Sequence, residues 1–189
     1  MSIRCIIGLG NPGQQYADTR HNVGAWFIDL IAHEKNLTLR YEKAFHGALA
    51  EFSENNTKCF LFKPSTYMNN SGLAVSSLAK FYKLTPADML VAHDELDFNP
   101  GIARLKKAGG HGGHNGLRDI IAHLSSPDFY RLRIGVGHPG DRDKVTPFVL
   151  GAPSRHDHDA IVSSMESAAR VLPDILSDQF EKAMHALHS

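Results

Sequence analysis

A short apolar run near the N-terminus, residues 3–8, ends abruptly in glycine. Apart from Arg4, the run is apolar and rich in isoleucine, which is typical of a strand buried on both faces of a parallel or mixed sheet. With 189 residues, of which 42% are hydrophobic, the chain is long enough for one well-buried core. The sequence therefore predicts a single α/β domain over residues 1–189, with this strand in the central sheet.

The rest of the chain interleaves helical and strand patterns. Helical spacing predicts helices over residues 22–35, 73–82 and 117–124 and through most of the tail 155–188, with Asn22 as a cap and Pro173 as a break or a new start. Strand patterns predict a hairpin of 44–52 and 58–63, a buried strand 89–92, an edge strand 101–105 and a strand 131–136. We therefore expect a central mixed, mostly parallel β-sheet flanked by helices.

Charge and cysteine usage exclude several classes of protein. The 20 basic and 20 acidic residues cancel, so the molecule as a whole has no field that favours a nucleic acid or a membrane surface. Cys5 and Cys59 lie in apolar runs, as small buried thiols do, rather than in a disulfide framework or a zinc cluster. No apolar run is long enough for a signal peptide or a membrane span. We expect a soluble, cytoplasmic protein.

His21 follows the first strand and its glycine loop, and Asp94 follows the predicted strand 89–92. Ligands of open α/β folds bind at the carboxyl ends of the strands, so both side chains belong to the expected site. A carboxylate that accepts from Nδ1 fixes the tautomer of an imidazole and makes Nε2 more basic. The sequence has no G-x-S-x-G elbow and no exposed, electropositive cysteine. We therefore expect His21 to act as a general base on water, supported by Asp94.

Three asparagines lie in loops beside glycine or proline: Asn11, Asn69 and Asn115. Each one alone is explained by turn chemistry, in which asparagine is common. Together with His21 and Asp94, they offer uncharged donors and acceptors that suit a peptide or ester group. The sequence therefore predicts an uncharged acyl or peptidyl substrate.

Basic residues cluster in the sequence around the glycine-rich loop 109–116, although the whole chain is neutral. The cluster consists of Arg104, Lys106, Lys107, Arg118, Arg131 and Arg133. Such runs are usually solvated faces, but this one flanks the same loop as Asn115. We expect it to form a phosphate-binding rim beside the site.

Three alternatives stay open from the residues alone. Gly8, Gly10 and Gly13 match the dinucleotide fingerprint, but no helix opens on the loop and no carboxylate follows at a second strand end. A metal site is suggested by His93, His111, His114 and the acidic histidine run 156–159, but no helix carries H-E-x-x-H and a glycine-rich loop holds ligands poorly. An RNA-binding module without chemistry is the third alternative.

Four blocks of sequence are distinctive when they are taken together. They are GLGNPG at 8–13 with Tyr16 and TRHNVG at 19–24, PSTYMNNSG at 64–72, HDELD at 93–97, and GGHNGLRD at 112–119. In this order they resemble bacterial peptidyl-tRNA hydrolase along essentially the whole chain. The resemblance implies a cytoplasmic, usually monomeric α/β enzyme with a mixed sheet, which cleaves the ester between a peptide and the ribose of tRNA. It implies no metal and no cofactor.

The resemblance also implies a role for each matched side chain. His21 would be the base on water, Asp94 would stabilise its basic form, and Asn11 would help to distinguish peptidyl from free aminoacyl ends. The other implied substrate-binding residues are Tyr16, Tyr67, Met68, Asn69, His114 and Asn115, of which Met68 and His114 would line the cleft. The tRNA backbone would be held by Arg104, Lys106, Lys107 and Arg133, without reading of sequence.

Overall fold

Seven strands form one sheet in the computed structural model, which describes residues 2–189. The strands are β1 (Cys5–Gly8), β2 (Arg40–Glu42), β3 (Gly47–Glu54), β4 (Thr57–Pro64), β5 (Met89–Glu95), β6 (Ala103–Lys106) and β7 (Tyr130–Gly135). Their order across the sheet is β2-β3-β4-β1-β5-β7-β6. The four central strands, from β4 to β7, are parallel to one another, and the outer pairs are antiparallel.

Helices cover both faces of this sheet. They are α1 (Val23–Glu34), α2 (Ser71–Tyr82), α3 (Asn115–Leu124), α4 (Val145–Val149), α5 (Arg155–Arg170), α6 (Leu172–Leu176) and α7 (Phe180–His188). The core on one face joins the sheet to α1, α5, α6 and α7, and the core on the other joins it to α2 and α3. The α/β fold with a mixed sheet and a parallel centre confirms the fold class expected from the sequence.

Local signals explain most of these elements. Strand β1 is fully buried, as its uninterrupted apolar run predicts. The β3–β4 hairpin turns at Asn55 and Asn56, whose φ angles of 51° and 62° suit asparagine. Pro173 opens α6, where a proline costs no helical hydrogen bond.

The packing of α1 against the sheet brings the start of that helix close to the strand ends. A Cβ on Gly24 would lie 2.2 Å from the carbonyl oxygen of Ala92 in β5, so only glycine permits this approach. Asn22 does not cap α1 with its side chain, contrary to expectation, because its amide is bonded to Asn11 instead. His21 is thereby held next to the end of β5.

The edge strand β6 is covered by the C-terminal helix. The outward amide of Leu105 donates to Nε2 of His188 at 3.0 Å, which satisfies a group that an edge strand otherwise leaves to water. Lys107, just after β6, pairs with Glu181 of α7. Within residues 2–189, no helix has both the length and the apolar character needed to cross a membrane.

Candidate active site

A cavity of about 1030 Å³ opens at the carboxyl ends of β1 and β5. It is lined by side chains from the loop after β1, the turn before α1, the turn before α2, the end of β5 and the loop before α3. His21 and Asp94, predicted to lie together, both line it. The position is the one where open α/β sheets bind ligands.

The carboxylate of Asp94 lies between two imidazoles. Its Oδ2 accepts from Nδ1 of His21 at 2.9 Å, and its Oδ1 accepts from Nε2 of His114 at 2.8 Å. Burial alone raises the pKa of Asp94, but the two histidines outweigh it and hold that pKa well below its usual range. Asp94 is therefore an anion that only accepts hydrogen bonds, and each imidazole must donate to it.

His114 is the cap of α3, and this fixes its tautomer. Its Nδ1 accepts from the amides of Gly116 at 3.1 Å and Leu117 at 3.3 Å, at the start of the helix. Nδ1 therefore carries no proton, and the single ring proton is on Nε2, where it bonds Asp94. His114 is neutral and locked from both sides.

His21 has its Nδ1–H on Asp94, which leaves the lone pair on Nε2. The side chain is 13% exposed and lines the cavity. Burial lowers the pKa of His21, but the charge and the hydrogen bond of Asp94 outweigh burial, and the net pKa is raised. The arrangement provides a base stronger than an ordinary histidine at the wall of the cavity.

On distance alone, His21, Asp94 and His114 could hold a metal ion, since their ligand atoms lie within 4.8 Å of one another. The hydrogen bonds of His114 oppose this arrangement. A neutral imidazole that ligates through Nε2 carries its proton on Nδ1, and here that proton would face two backbone N–H groups. The three side chains fit a hydrogen-bonded group better than a metal centre.

Asn11 is held with a defined orientation. Its Oδ1 accepts from the amide of Met68 at 2.7 Å, so its NH₂ group is available as a donor in the cavity that Asn11 lines. The side chain of Asn22 accepts from the Asn11 amide at 2.8 Å and donates to the Asn11 carbonyl at 2.9 Å. Sequence reasoning missed this role of Asn22, because helix capping explained its position equally well.

The glycine loop after β1 supports the same packing rather than a dinucleotide. A Cβ on Gly8 would lie 2.1 Å from the Gly24 carbonyl oxygen of α1, and one on Gly10 would lie 3.0 Å from the Asn22 side chain. One turn of 3-10 helix, Gln14–Tyr16, follows the loop, and α1 begins only at Val23. The helix N-terminus that a Rossmann site needs is therefore not on this loop.

Comparison with known proteins identifies the family of the chain over nearly its whole length. The family model described as peptidyl-tRNA hydrolase matches residues 5–189. The chain belongs to the peptidyl-tRNA hydrolase family. A peptidyl-tRNA hydrolase of Coxiella burnetii is 54% identical over 187 residues, covering 99% of this chain and 98% of that protein. One of Marinobacter nauticus is 52% identical over 184 residues, covering 97% of this chain and 94% of the relative.

Solved structures agree with the sequence comparison. The crystal structure of peptidyl-tRNA hydrolase from Acinetobacter baumannii has a TM-score of 0.95 and 44% identity, and the match covers 98% of this chain and 94% of that one. The resemblance that the four sequence blocks carried is confirmed, and the enzyme class is that of an ester hydrolase family.

The remaining residues that the peptidyl-tRNA hydrolase resemblance implied lie in or beside the cavity. Tyr67, Met68, Asn69 and Asn115 line it. Tyr16 is not part of the lining, but its ring meets Tyr67 edge to face at 6.3 Å between centroids. Tyr16 therefore reaches the cavity through Tyr67.

The basic cluster divides into different groups. Lys106 and Arg133 line the cavity, and Arg133 also donates to Oε1 of Glu95 at 2.8 Å. Arg104 stacks over Phe98 outside the lining. Lys107 is also outside it and pairs with Glu181 of α7. Lys106 and Arg133 are thus the members of the implied backbone-binding set that face the cavity.

Arg131 corrects the expectation of a phosphate-binding rim: it lines the cavity, but its side chain is buried, with 2% exposed. Its guanidinium donates to the carbonyls of Pro127, Phe129 and Gly109. Burial lowers its pKa to about 10. Arg131 anchors the glycine-rich loop to β7 instead of offering a free charge.

No pattern in the sequence predicted that the segment 142–150 would form one wall of the cavity. Side chains of the segment 142–150, including α4, line it. Arg20, the residue before His21, donates to the carbonyl of Phe148 at 2.9 Å and stacks on its ring at 3.9 Å. This long-range contact connects the wall to the turn that carries His21.

Proposed function

We propose that the protein hydrolyses the ester between the peptide and the 3′ ribose of peptidyl-tRNA and releases free tRNA for reuse in translation. Membership of the peptidyl-tRNA hydrolase family supports the substrate. The observation that carries the chemistry is Asp94 bonded by both His21 and His114. His114 donates to one oxygen of Asp94, and Nδ1 of His21 donates to the other. The free lone pair of His21 is therefore on Nε2, which we assign as the base.

The proposed reaction proceeds in two proton transfers. His21 Nε2 takes a proton from water, and the resulting hydroxide attacks the ester carbonyl carbon. The tetrahedral intermediate collapses by breaking the bond to the ribose 3′ oxygen, which takes the proton back from the imidazolium. Asp94 stays ionised and stabilises the imidazolium between these transfers. The products are a free peptide acid and tRNA with a 3′ hydroxyl.

Neutral amides suit the acyl end of this substrate. The NH₂ of Asn11, whose oxygen is occupied by Met68, is a donor for a carbonyl of the peptide. We assign Asn69 and Asn115, which line the same cavity, to the substrate as well. A blocked nitrogen is an uncharged amide that these groups can pair with, whereas a free ammonium changes both charge and hydrogen bonding.

Positive charge beside the cavity suits the tRNA backbone. Lys106 and Arg133 line the cavity, and Arg104 lies on the same exposed face of β6 as Lys106. Lys107 is assigned to the backbone by resemblance alone, since its ammonium is engaged by Glu181. These contacts read no sequence, as an enzyme for many tRNAs requires. We further propose that the enzyme works as a cytoplasmic monomer without a metal.

The test is release of tRNA from N-acetyl-aminoacyl-tRNA in the presence of a chelator, beside unblocked aminoacyl-tRNA. We expect the wild type to cleave only the blocked ester. His21→Ala should lose turnover and keep tRNA affinity, while His185→Ala, an exposed histidine on α7 outside the cavity, should keep both.

Three outcomes of this experiment would contradict different parts of the proposed function. Activity that disappears with the chelator in the wild type contradicts the metal-free reaction. An inactive wild type that still binds tRNA favours an RNA-binding module, and full turnover by His21→Ala excludes that residue as the base.

A further inference from the structure

Strands β1 and β5 do not end together. Strand β1 ends at Gly8. The last hydrogen bond that joins β1 to β5 is donated by the Leu9 amide to the carbonyl of Ala92, at 3.1 Å. Strand β5 continues to Glu95. Asp94 is therefore held by a strand that has lost its neighbour on one side.

The lost neighbour leaves one carbonyl of β5 without its sheet partner. Carbonyls along a strand alternate between its two neighbours. Those of Asp88 and Ala92 bond residues of β1 or its flanks, and that of Glu95 bonds the Val136 amide after β7. By this alternation the Asp94 carbonyl faces the side of β1, beyond the end of that strand. A buried carbonyl without a partner is costly, so some other donor is required.

His93 supplies this donor. Its Nδ1 lies 2.8 Å from the Asp94 carbonyl oxygen, and a carbonyl only accepts, so Nδ1 carries the proton. The ring is 3% exposed and meets the ring of His114 at 5.2 Å in an edge-on contact. Burial lowers the pKa of His93 to about 3, which keeps the ring neutral. No protein atom of residues 2–189 pairs with its buried Nε2.

We propose that His93 is a positioning residue for the reaction. It replaces the missing strand partner of Asp94 and packs against His114, so that the Asp94 carboxylate stays between the two imidazoles. His93 touches the backbone of Asp94 rather than the substrate, and it acts through Asp94 on His21. This inference rests on the proposed function, in which His21 is the base and Asp94 its support.

Two amide substitutions separate the two nitrogens of His93. In His93→Asn the side-chain NH₂ occupies about the position of Nδ1, and in His93→Gln it occupies about the position of Nε2. We expect His93→Asn to keep kcat within about threefold of wild type. His93→Gln should lower kcat by about tenfold or more, the usual cost of losing a partner that orients a reactive side chain. KM for blocked aminoacyl-tRNA should stay unchanged in both, because Lys106 and Arg133 are untouched.

A spectroscopic readout makes the test independent of turnover. In wild type, ¹H–¹⁵N spectra of the imidazoles should show a downfield His21 Nδ1–H bonded to Asp94. The signal should persist in His93→Asn and weaken or shift in His93→Gln, with both variants folded by thermal denaturation. If His93→Gln does not fold, His93→Asn carries the test: kcat and a His21 Nδ1–H signal like those of wild type support the role of the Nδ1 donor, and a fall of kcat by about tenfold or more in folded His93→Asn overturns it.

Several results would overturn the proposal. They are an equal fall of kcat in both variants, an unchanged kcat in folded His93→Gln, or a change confined to KM. A failure of His21→Ala to lose activity would instead remove the proposed base. That failure would leave the His21 Nδ1–H signal and its response to His93→Gln in place, so the two failures are distinguishable.

Discussion

Replacing Asp94 by asparagine changes one oxygen to an NH₂ group and removes a buried charge, with almost no change of shape. The carboxylate accepts from both His21 and His114, whereas an amide has one acceptor. His114 keeps its proton on Nε2, because its Nδ1 holds two helix amides. The amide oxygen must therefore face His114, and the NH₂ must face His21.

This forces His21 into the wrong tautomer. To accept from the new NH₂, Nδ1 of His21 must give up its proton, which moves to Nε2. Nε2 is the atom that has to take a proton from water in the proposed reaction. In Asp94→Asn the base is therefore blocked as well as deprived of its counter-charge.

The size of the effect follows from the distance between the charges. The facing nitrogen and oxygen of His21 and Asp94 are 2.9 Å apart, and the delocalised charges are separated by about 4 Å, which corresponds to about 4 kcal/mol at an effective dielectric constant of about 20. About 1.4 kcal/mol corresponds to a factor of ten, so the lost charge alone lowers kcat by about 10³. With the blocked tautomer added, we expect a loss of about 10³ to 10⁴.

The assay is single-turnover release of tRNA from N-acetyl-aminoacyl-tRNA, with ¹⁵N spectra of the imidazoles recorded on the same variants. Asp97→Asn is the matched control, since Asp97 is an exposed carboxylate at the same cavity with no ion pair to His21 or His114. We expect Asp97→Asn to retain nearly full kcat. A loss below tenfold in Asp94→Asn, or a His21 that still carries its proton on Nδ1, would refute the reasoning.

Further predictions concern pH, the tRNA backbone and packing. The wild-type kcat/KM should fall tenfold per pH unit on the acid side, because only neutral His21 is a base. The midpoint of this fall should lie above 6.5, the ordinary value of a histidine, because the pKa of His21 is raised. A midpoint below 6.5 in a pH–rate profile contradicts this prediction. Lys106→Ala should raise KM and reduce the slope of log affinity against log salt by about 1, measured by salt titration of tRNA binding. Lys80→Ala, an exposed lysine on α2 outside the cavity, should leave that slope unchanged, and equal slopes in both variants would remove Lys106 from the interface. Gly24→Ala should lower the free energy of unfolding by about 1–3 kcal/mol in urea denaturation, because its Cβ would lie 2.2 Å from a carbonyl oxygen of β5. An unchanged denaturation midpoint would show that α1 can move away from the sheet.

The central sheet was predictable from short-range patterns. The isoleucine-rich run that became β1 and the Asn55–Asn56 turn of the hairpin carry signals that operate within a few residues. The positions of His21 and Asp94 at strand ends were predictable for the same reason, since the ends of parallel strands meet at one edge of a sheet. Loop position and amide chemistry pointed to Asn69 and Asn115, and family resemblance extended this local prediction to Tyr67 and Met68.

Long-range partners were not predictable in the same way. Arg131 reads as a surface charge in the sequence, but the carbonyl of Gly109 that it bonds is 22 residues away. Asn22 reads as a cap, and only the folded chain shows that it holds Asn11. In both cases the polar side chain serves distant backbone groups, and neither composition nor periodicity carries information about such a partner.

The direction of the hydrogen bonds explains why the pKa of His21 is raised and why its lone pair is on the nitrogen at the cavity wall. The amides at the start of α3 donate to Nδ1 of His114, so the proton of that ring must point to Asp94. Asp94 accepts one hydrogen bond from each imidazole and stays ionised, because both donors stabilise its charge. The lone pair at the end of this chain is on Nε2 of His21, at the wall of the cavity. The N-terminus of α3 thus orients the proposed base, His21, through His114 and Asp94. A substitution at His114 or Asp94 should therefore change the tautomer of His21 first, and the rate as a consequence.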